Sequence, residues 1–153
     1  MGADLCHSIH SPVRITHYAI TYGPYGSGGG RGGVGTVLTG LCHFTERAES
    51  HRGLCHGGSM TSVMDDVVGW TAFHVTGRCI PWSGYTAQVN VALRRPVNVG
   101  SYLTIRGTVV KWEGRKVWIH SKLLSREDGD DGKDEEYVHC TAEGLVILMK
   151  DVR

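Results

Sequence analysis

The sequence lacks any apolar run close to the roughly 20 residues that a membrane-spanning helix needs, so no membrane span is predicted. It also lacks an excess of charge of either sign, because the formal net charge is +1 and only 20% of the residues are charged. Nucleic-acid binding through a broad basic surface requires clustered Lys and Arg, so that class of function is not favoured. The balance leaves room for a small basic patch that binds one phosphorylated ligand.

Paired cysteines are also missing. The five cysteines are scattered, odd in number and form no C-x-x-C pair, which disfavours both a disulfide framework and a zinc ribbon. A reducing, intracellular compartment is therefore expected, with the cytosol as the default and the mitochondrion as the alternative. A group of cysteines and histidines raises the question of zinc, but its spacings match no standard site and no metal is predicted: Cys42, His43, His51, Cys55 and His56.

Two segments of unusual composition are interpreted as loops. Residues 26–35 contain seven glycines, but no Gly-Lys-Ser/Thr follows at a strand-to-helix junction, so a mobile connector is favoured over a phosphate-binding loop. Residues 126–136 are acidic, yet Gly132, Lys133 and His139 occupy the positions where a calcium loop starting at Asp128 needs an oxygen ligand, a Gly and a Glu. A solvated hairpin loop is therefore predicted there.

Hydrophobic periodicity predicts one helix and several strands. An apolar stripe at helical spacing spans about residues 59–74, formed by Met60, Val63, Met64, Val67, Val68 and Thr71. Strands are predicted at residues 15–22, 34–44, 85–94, 102–112, 116–125 and 137–150, with Glu113-Gly114 as a tight turn. Strict alternation places Tyr85, Val89 and Val91 on one face and Thr86 and Gln88 on the other. One mostly antiparallel sheet packed on one long helix is an α+β architecture.

The start of that helix has features that suit catalysis. Gly57 and Gly58 lie where unpaired backbone N–H groups can polarise a carbonyl oxygen, and glycine permits its close approach. About two turns further on, Asp65 and Asp66 lie off the apolar stripe, and a carboxylate beside a ligand can act as a general base or nucleophile. Spacing alone does not choose between the two acids, and both have the alternative of being solvated surface residues.

The run His56-Gly57-Gly58, with Asp65 nine residues after the histidine, resembles the signature of the PaaI-like hotdog-fold acyl-CoA thioesterases. The similarity continues in residues 85–96, which resemble that family's strand with a catalytic Thr or Ser and a basic-Pro end. It also includes residues 111–116, which resemble a hairpin that contacts coenzyme A. Together these motifs cover about residues 34–150, the predicted hotdog domain being 34–153. Residues 1–33, interpreted as an N-terminal arm and glycine-rich connector, have no counterpart in the family.

The resemblance implies a role for each matching residue. Asp65 is the expected base or nucleophile, and the N–H of Gly57, with that of Gly58, the expected oxyanion hole. His56 is expected to position the thioester or a water molecule, unless it simply caps the helix. Thr86 is expected to come from the partner subunit and orient the water or the carboxylate. The residues expected to bind the phosphates of coenzyme A are Arg94, Arg95, Lys111, Arg115 and Lys116.

The resemblance also implies a homodimer, with a tetramer as a pair of dimers, and no metal or redox cofactor. Two alternatives stay open, a non-catalytic acyl-CoA-binding or scaffold protein of the same fold and an acyl-thioester dehydratase. Ser50 departs from the Asn that some relatives carry six residues before the motif histidine, which affects how water is activated. The acyl group is left open, since Trp70, Phe73, Trp82 and Tyr85 suit either an aryl group or a fatty chain.

Overall fold

A computed structural model describes residues 6–24 and 31–151. The main sheet consists of β1 (Val13–Thr21), β2 (Val37–Phe44), β5 (Gly84–Leu93), β6 (Tyr102–Glu113), β7 (Lys116–Asp128) and β8 (Asp134–Leu148). A small second sheet pairs β3 (Glu49–His51) with β4 (Leu54–Cys55), and the helix α1 spans Gly57–Phe73. Each predicted strand and the helix are confirmed, with ends that shift by a few residues.

The six strands are all antiparallel to their neighbours, in the order β1-β2-β6-β7-β8-β5. The helix lies across one face of this sheet and contacts all six of its strands. All six residues of the predicted apolar stripe are buried against that face. The result is the predicted hotdog fold, in which a long antiparallel sheet wraps one helix.

Two glycines of the sheet let the helix approach closely. A Cβ on Gly107 would lie 2.1 Å from the Thr71 hydroxyl oxygen, and a Cβ on Gly144 would lie 2.3 Å from a Val68 methyl carbon. Both distances are too short for real contacts, so any side chain at these positions would push the helix from the sheet.

The first strand belongs to the same sheet. β1 is hydrogen-bonded to β2 along its length, so the predicted N-terminal arm, residues 1–33, contributes an edge strand. Half of the glycine-rich connector, residues 26–30, lies outside the described residues, and the boundary at residues 33 and 34 stays a prediction.

The predicted hairpins occur with one correction. The β6–β7 turn consists of Gly114-Arg115 rather than Glu113-Gly114, because Glu113 pairs with Lys116 across the ladder. Gly114 has a φ of 57°, a conformation that glycine adopts without strain. The acidic segment forms an exposed hairpin, as predicted, but its loop is only residues 129–133, because residues 126–128 and 134–136 pair as the ends of β7 and β8.

Candidate active site

The start of α1 is fixed by a histidine cap. His56 has extended backbone angles, and its Nδ1 accepts a 2.8 Å hydrogen bond from the Gly58 N–H. This satisfies one of the donors that a helix start leaves unpaired. Within the part of the chain that the structure describes, the Gly57 N–H finds no partner. The predicted oxyanion hole is thereby corrected: Gly57 offers a free donor, whereas the Gly58 donor is already occupied.

Gly57 also lies against the end of strand β5. A Cβ at this position would stand 2.7 Å from Cδ1 of Leu93, the last residue of the strand. The helix start therefore occupies the Leu93 end of β5, which is an edge strand of the sheet.

The two adjacent carboxylates of α1 differ in their surroundings. Asp66 is partly buried, and its Oδ2 lies 2.8 Å from Nε2 of His7, a residue of the N-terminal segment. Asp65 is exposed and pairs with no cation among the described residues. Spacing could not separate these acids, but the fold leaves Asp65 as the carboxylate that is open to a ligand.

Thr86 reaches the helix side of the sheet because of a β-bulge. Thr86 pairs with Val146 and Gln88 with Leu145, so Ala87 is an extra residue in β5. A bulge reverses the alternation on one side of it. Thr86 therefore lies on the same face of the sheet as Val146, Val89 and Val91. The predicted faces of Tyr85 and Thr86 are wrong, because Thr86 rather than Tyr85 shares the face of Val89 and Val91.

Asp65 and Thr86 line one cleft of about 260 Å³ between α1 and β5, referred to below as the Asp65 cleft. Both residues come from the same chain, which corrects the expectation that Thr86 reaches Asp65 from the partner subunit. The cleft has an acidic, polar end and an aromatic wall formed by Trp70, Phe73 and Trp82. Tyr85, the fourth aromatic residue predicted near the pocket, also lines the cleft. Larger depressions exist elsewhere, such as one of about 360 Å³ beside Arg94, but this one holds Asp65, the carboxylate of α1 that has no ion-pair partner among the described residues.

Within one chain, the start of α1 lies away from the Asp65 cleft. Asp65 follows Gly57 by eight residues, which corresponds to about 12 Å along a helix axis. His56 and Gly58 line a different depression, with Arg47 and Glu49. Within one chain, the helix start and Asp65 therefore belong to different depressions.

The five predicted phosphate-binding residues form two groups at opposite ends of β5. Arg94 and Arg95 follow its Leu93 end, where Arg94 Nε donates a 3.2 Å hydrogen bond to the Thr141 hydroxyl and Arg95 lies 4.0 Å from the Tyr137 ring centre. The other group belongs to the β6–β7 hairpin and consists of Lys111, Arg115 and Lys116.

The hairpin lies at the Thr86 end of β5, because Lys116 pairs with Ile147 and Ile147 pairs with Tyr85. Lys111 forms a 3.0 Å ion pair with Glu113 and lies 4.7 Å from the Trp118 ring centre. Within one chain, the two groups of cations do not converge.

Sequence patterns missed His7 and the bulge at Ala87. His7 contacts Asp66 across 59 positions and its ring lies 5.6 Å from that of Trp70, a long-range contact that no local pattern reports. Ala87 continues the alternation of its strand, so nothing in the sequence marks it as the inserted residue.

Among residues 6–24 and 31–151, no group of three or more His, Cys, Asp or Glu side chains is placed to hold a metal ion. The same residues contain no helix long and apolar enough to cross a membrane.

The chain is similar in sequence to known thioesterases. Over 97 residues the chain is 30% identical to the acyl-coenzyme A thioesterase THEM4 of Bos taurus, a match that covers 63% of this chain and 35% of that protein. The chain thus spans well under half the length of the curated relatives it matches.

Solved structures show the same fold. A crystal structure of a thioesterase superfamily protein is 26% identical, covering 72% of this chain and 48% of the other, with a TM-score of 0.56. The putative thioesterase yhdA of Lactococcus lactis covers 88% of this chain and 92% of its own at 10% identity, with a TM-score of 0.64.

The family model for the thioesterase superfamily matches residues 52–130, just over half of the chain. The matched segment includes the His56 cap, Asp65 and the whole of β5. This chain belongs to the thioesterase superfamily.

Proposed function

We propose that the protein is an acyl-CoA thioesterase, which hydrolyses an acyl-CoA to a free acid and coenzyme A. The observation that carries the proposal is that a carboxylate, Asp65, and a hydroxyl, Thr86, line the same cleft beside an aromatic wall. Membership of the superfamily supports the reaction class. The names of two curated relatives, both acyl-coenzyme A thioesterases, support the substrate class.

In the proposed reaction, the thioester carbonyl accepts a nucleophile and its carbon–sulfur bond breaks. As a general base, Asp65 takes a proton from water while the oxygen attacks the carbonyl carbon, and the coenzyme A sulfur leaves as a thiolate that is then protonated. As a nucleophile, Asp65 itself attacks, and water then hydrolyses the resulting anhydride. In either case the Thr86 hydroxyl orients the water or the carboxylate, and a backbone N–H stabilises the oxyanion.

The complete site is proposed to form in a homodimer. β5 pairs with β8 on one side only, which leaves its other edge able to pair with a second copy. Antiparallel pairing of two β5 strands about a two-fold axis places the Thr86 end of each beside the Leu93 end of the other. The Gly57 N–H and His56 of one chain then approach Asp65 and Thr86 of its partner.

The same pairing gathers the cations. Arg94 and Arg95 of one chain would lie near the partner's basic hairpin, the segment with Lys111, Arg115 and Lys116. Such a cluster suits the phosphates of coenzyme A, because guanidinium and ammonium groups form charge-assisted hydrogen bonds with phosphate. A tetramer built from two dimers and a cytosolic or mitochondrial location remain part of the proposal.

The first test is thiol release from short, long and aryl acyl-CoA substrates by the wild type and Asp65→Asn. Asparagine keeps the shape of the side chain and removes its charge, so kcat should fall about a hundredfold or more with folding retained. Asp66→Asn is the matched comparison on the neighbouring residue, and it should lose less than about tenfold because Asp66 already pairs with His7.

The outcomes separate the alternatives. A fully active Asp65→Asn enzyme would refute the assignment of Asp65. Tight binding of acyl-CoA without any turnover would indicate a non-catalytic acyl-CoA-binding protein, and dehydration of a 3-hydroxyacyl-CoA without thiol release would indicate a dehydratase.

A further inference from the structure

The aromatic wall of the Asp65 cleft is a closed group of three rings. Trp70 and Phe73 of α1 lie 5.4 Å apart between ring centres, and Trp82 lies 6.1 Å from the first and 5.8 Å from the second. The Trp70–Phe73 and Phe73–Trp82 pairs have the edge-to-face geometry that aromatic pairs favour, with interplanar angles of 73° and 63°, and the Trp70–Trp82 pair is tilted by 59°. Trp82 thus closes the part of the cleft that two helix residues leave open.

Trp82 is held there at a conformational cost. Its φ is +60°, and no other described residue except glycine has a positive φ. Bulky residues rarely adopt this conformation, and such outliers persist only where the surroundings enforce them, commonly at ligand sites. Trp82 is nevertheless 65% exposed, so burial of this residue does not explain the strained backbone.

Hydrogen bonds on either side of Trp82 fix this backbone. The Ile80 N–H donates to the Phe73 carbonyl, and the Ser83 N–H donates to the Ile80 carbonyl. The Ser83 carbonyl in turn accepts a 2.7 Å hydrogen bond from the Met149 N–H, and Ser83 is buried. These bonds tie the flanking backbone to α1 and to the end of β8, so the Cα of Trp82 stays beside the cleft, and the indole is held there by its contacts with Trp70 and Phe73.

We infer that Trp82 limits the size of the acyl group, so that the Asp65 cleft accepts compact aryl acyl groups and disfavours long straight-chain fatty acyl groups. This inference rests on the proposed function. The cleft of about 260 Å³ is smaller than the roughly 300–1,000 Å³ of typical ligand sites. An aryl ring gains edge-to-face contacts with the three rings, whereas a long chain would have to displace the indole.

The test compares kcat/KM for phenylacetyl-CoA and palmitoyl-CoA in the wild type, Trp82→Gly and Trp82→Phe. Glycine adopts a φ of +60° freely, so Trp82→Gly removes the indole without adding backbone strain. The wild type should prefer the aryl substrate, and Trp82→Gly should reduce that preference about tenfold or more. Trp82→Phe, which keeps a ring, should fall between them. Tyr102→Ala is the control, since Tyr102 is an exposed aromatic residue that stacks on His43 outside the cleft.

Failure of this inference differs from failure of the proposed function. Turnover with a palmitoyl preference in the wild type, or an unchanged preference in Trp82→Gly, would refute the role of Trp82 and leave the thioesterase standing. If no substrate is turned over, the affinities for the non-hydrolysable phenethyl and hexadecyl thioethers of coenzyme A, measured by calorimetry, test the inference instead. Aryl-selective binding that Trp82→Gly removes would support the inference for a binding protein, and absence of that selectivity would overturn it.

Discussion

A single histidine determines which backbone donor the start of α1 can offer. Nδ1 of His56 occupies the Gly58 N–H, so the free donor is the Gly57 N–H one residue earlier. Glycine at that position also accommodates the Leu93 side chain at its Cα. One capping bond thus stabilises the helix and defines the proposed oxyanion hole at the same time.

His74, at the other end of α1, should make folding stability depend on pH. Burial lowers the pKa of His74 below its ordinary value of 6.5, and its buried Nε2 has no hydrogen-bond partner among the described residues. A protonated imidazole carries an N–H at both nitrogens, so protonation would leave a buried donor unpaired. Burial therefore outweighs the attraction of a helix C-terminus for positive charge.

The direction of this pH dependence follows from whether the folded or the unfolded state binds the His74 proton more tightly. Below about pH 6.5 the unfolded chain is protonated at residue 74 before the folded chain is, so the free energy of unfolding should fall as the pH is lowered from 7.5 to 5. Above pH 7.5 this contribution should be flat. Urea denaturation of the wild type and His74→Gln measures it, and equal pH dependence in the two proteins would contradict the assignment.

At the scale of elements, the position of α1 on the sheet depends on glycine in the strands. Gly144 of β8 faces Val68, whose branched side chain is stiff and fully buried. The helix can therefore approach this strand only while position 144 has no side chain. The Asp65 cleft lies between the same helix and the adjacent strand β5, so this spacing also determines the width of the cleft.

Gly144→Ala should destabilise the protein by about 1–3 kcal/mol, because the added methyl group would overpack the buried helix–sheet contact. Gly69→Ala is a matched control within α1, where a Cβ would meet nothing closer than 4.0 Å. Alanine is the better helix former, so that variant should gain about 0.5–1 kcal/mol. Thermal and urea unfolding measure both, and a neutral Gly144→Ala would show that the helix can shift without cost.

At the scale of the whole molecule, each chain is proposed to contribute half of each of two sites. The Gly57 half lies at the Leu93 end of β5, and the Asp65 half lies at the Thr86 end. Two chains related by a two-fold axis would thus form two equivalent sites, each with a donor from one chain and a carboxylate from the other.

Mixing two inactive variants tests this arrangement. Gly57→Pro removes the N–H at the first helical position, which suits proline, and His56 already has the extended angles that a residue before proline adopts. The Cβ that proline adds would meet Leu93 Cδ1, so the exposed Leu93 side chain has to turn aside in this variant. Alone, this variant should lose roughly 10²–10³-fold in kcat. Co-expressed with Asp65→Asn, it should recover about a quarter of wild-type activity, because half of the dimers carry one intact site of two.

No recovery, with mixed dimers demonstrated by mass spectrometry, would show that each site lies within one chain. A monomer by light scattering at assay concentration would refute the dimer itself.

Local patterns in the sequence determined most of the elements and named the residues worth examining. The apolar stripe predicted α1, the strand segments predicted one mostly antiparallel sheet, and the glycine pair predicted the helix start. These features depend on neighbours three or four positions apart in a helix and two apart in a strand. For that reason they can be recognised without knowledge of the fold.

Only the tertiary structure decided which of these residues share a site. The contact of His7 with Asp66 separated the two acids, the bulge at Ala87 turned Thr86 toward the helix, and the strand order left β5 at an edge. The length of α1 kept Gly57 away from Asp65 within one chain. Each of these outcomes depends on contacts between segments far apart in sequence or on an inserted residue with no distinctive side chain, and so no local pattern of residues encodes them.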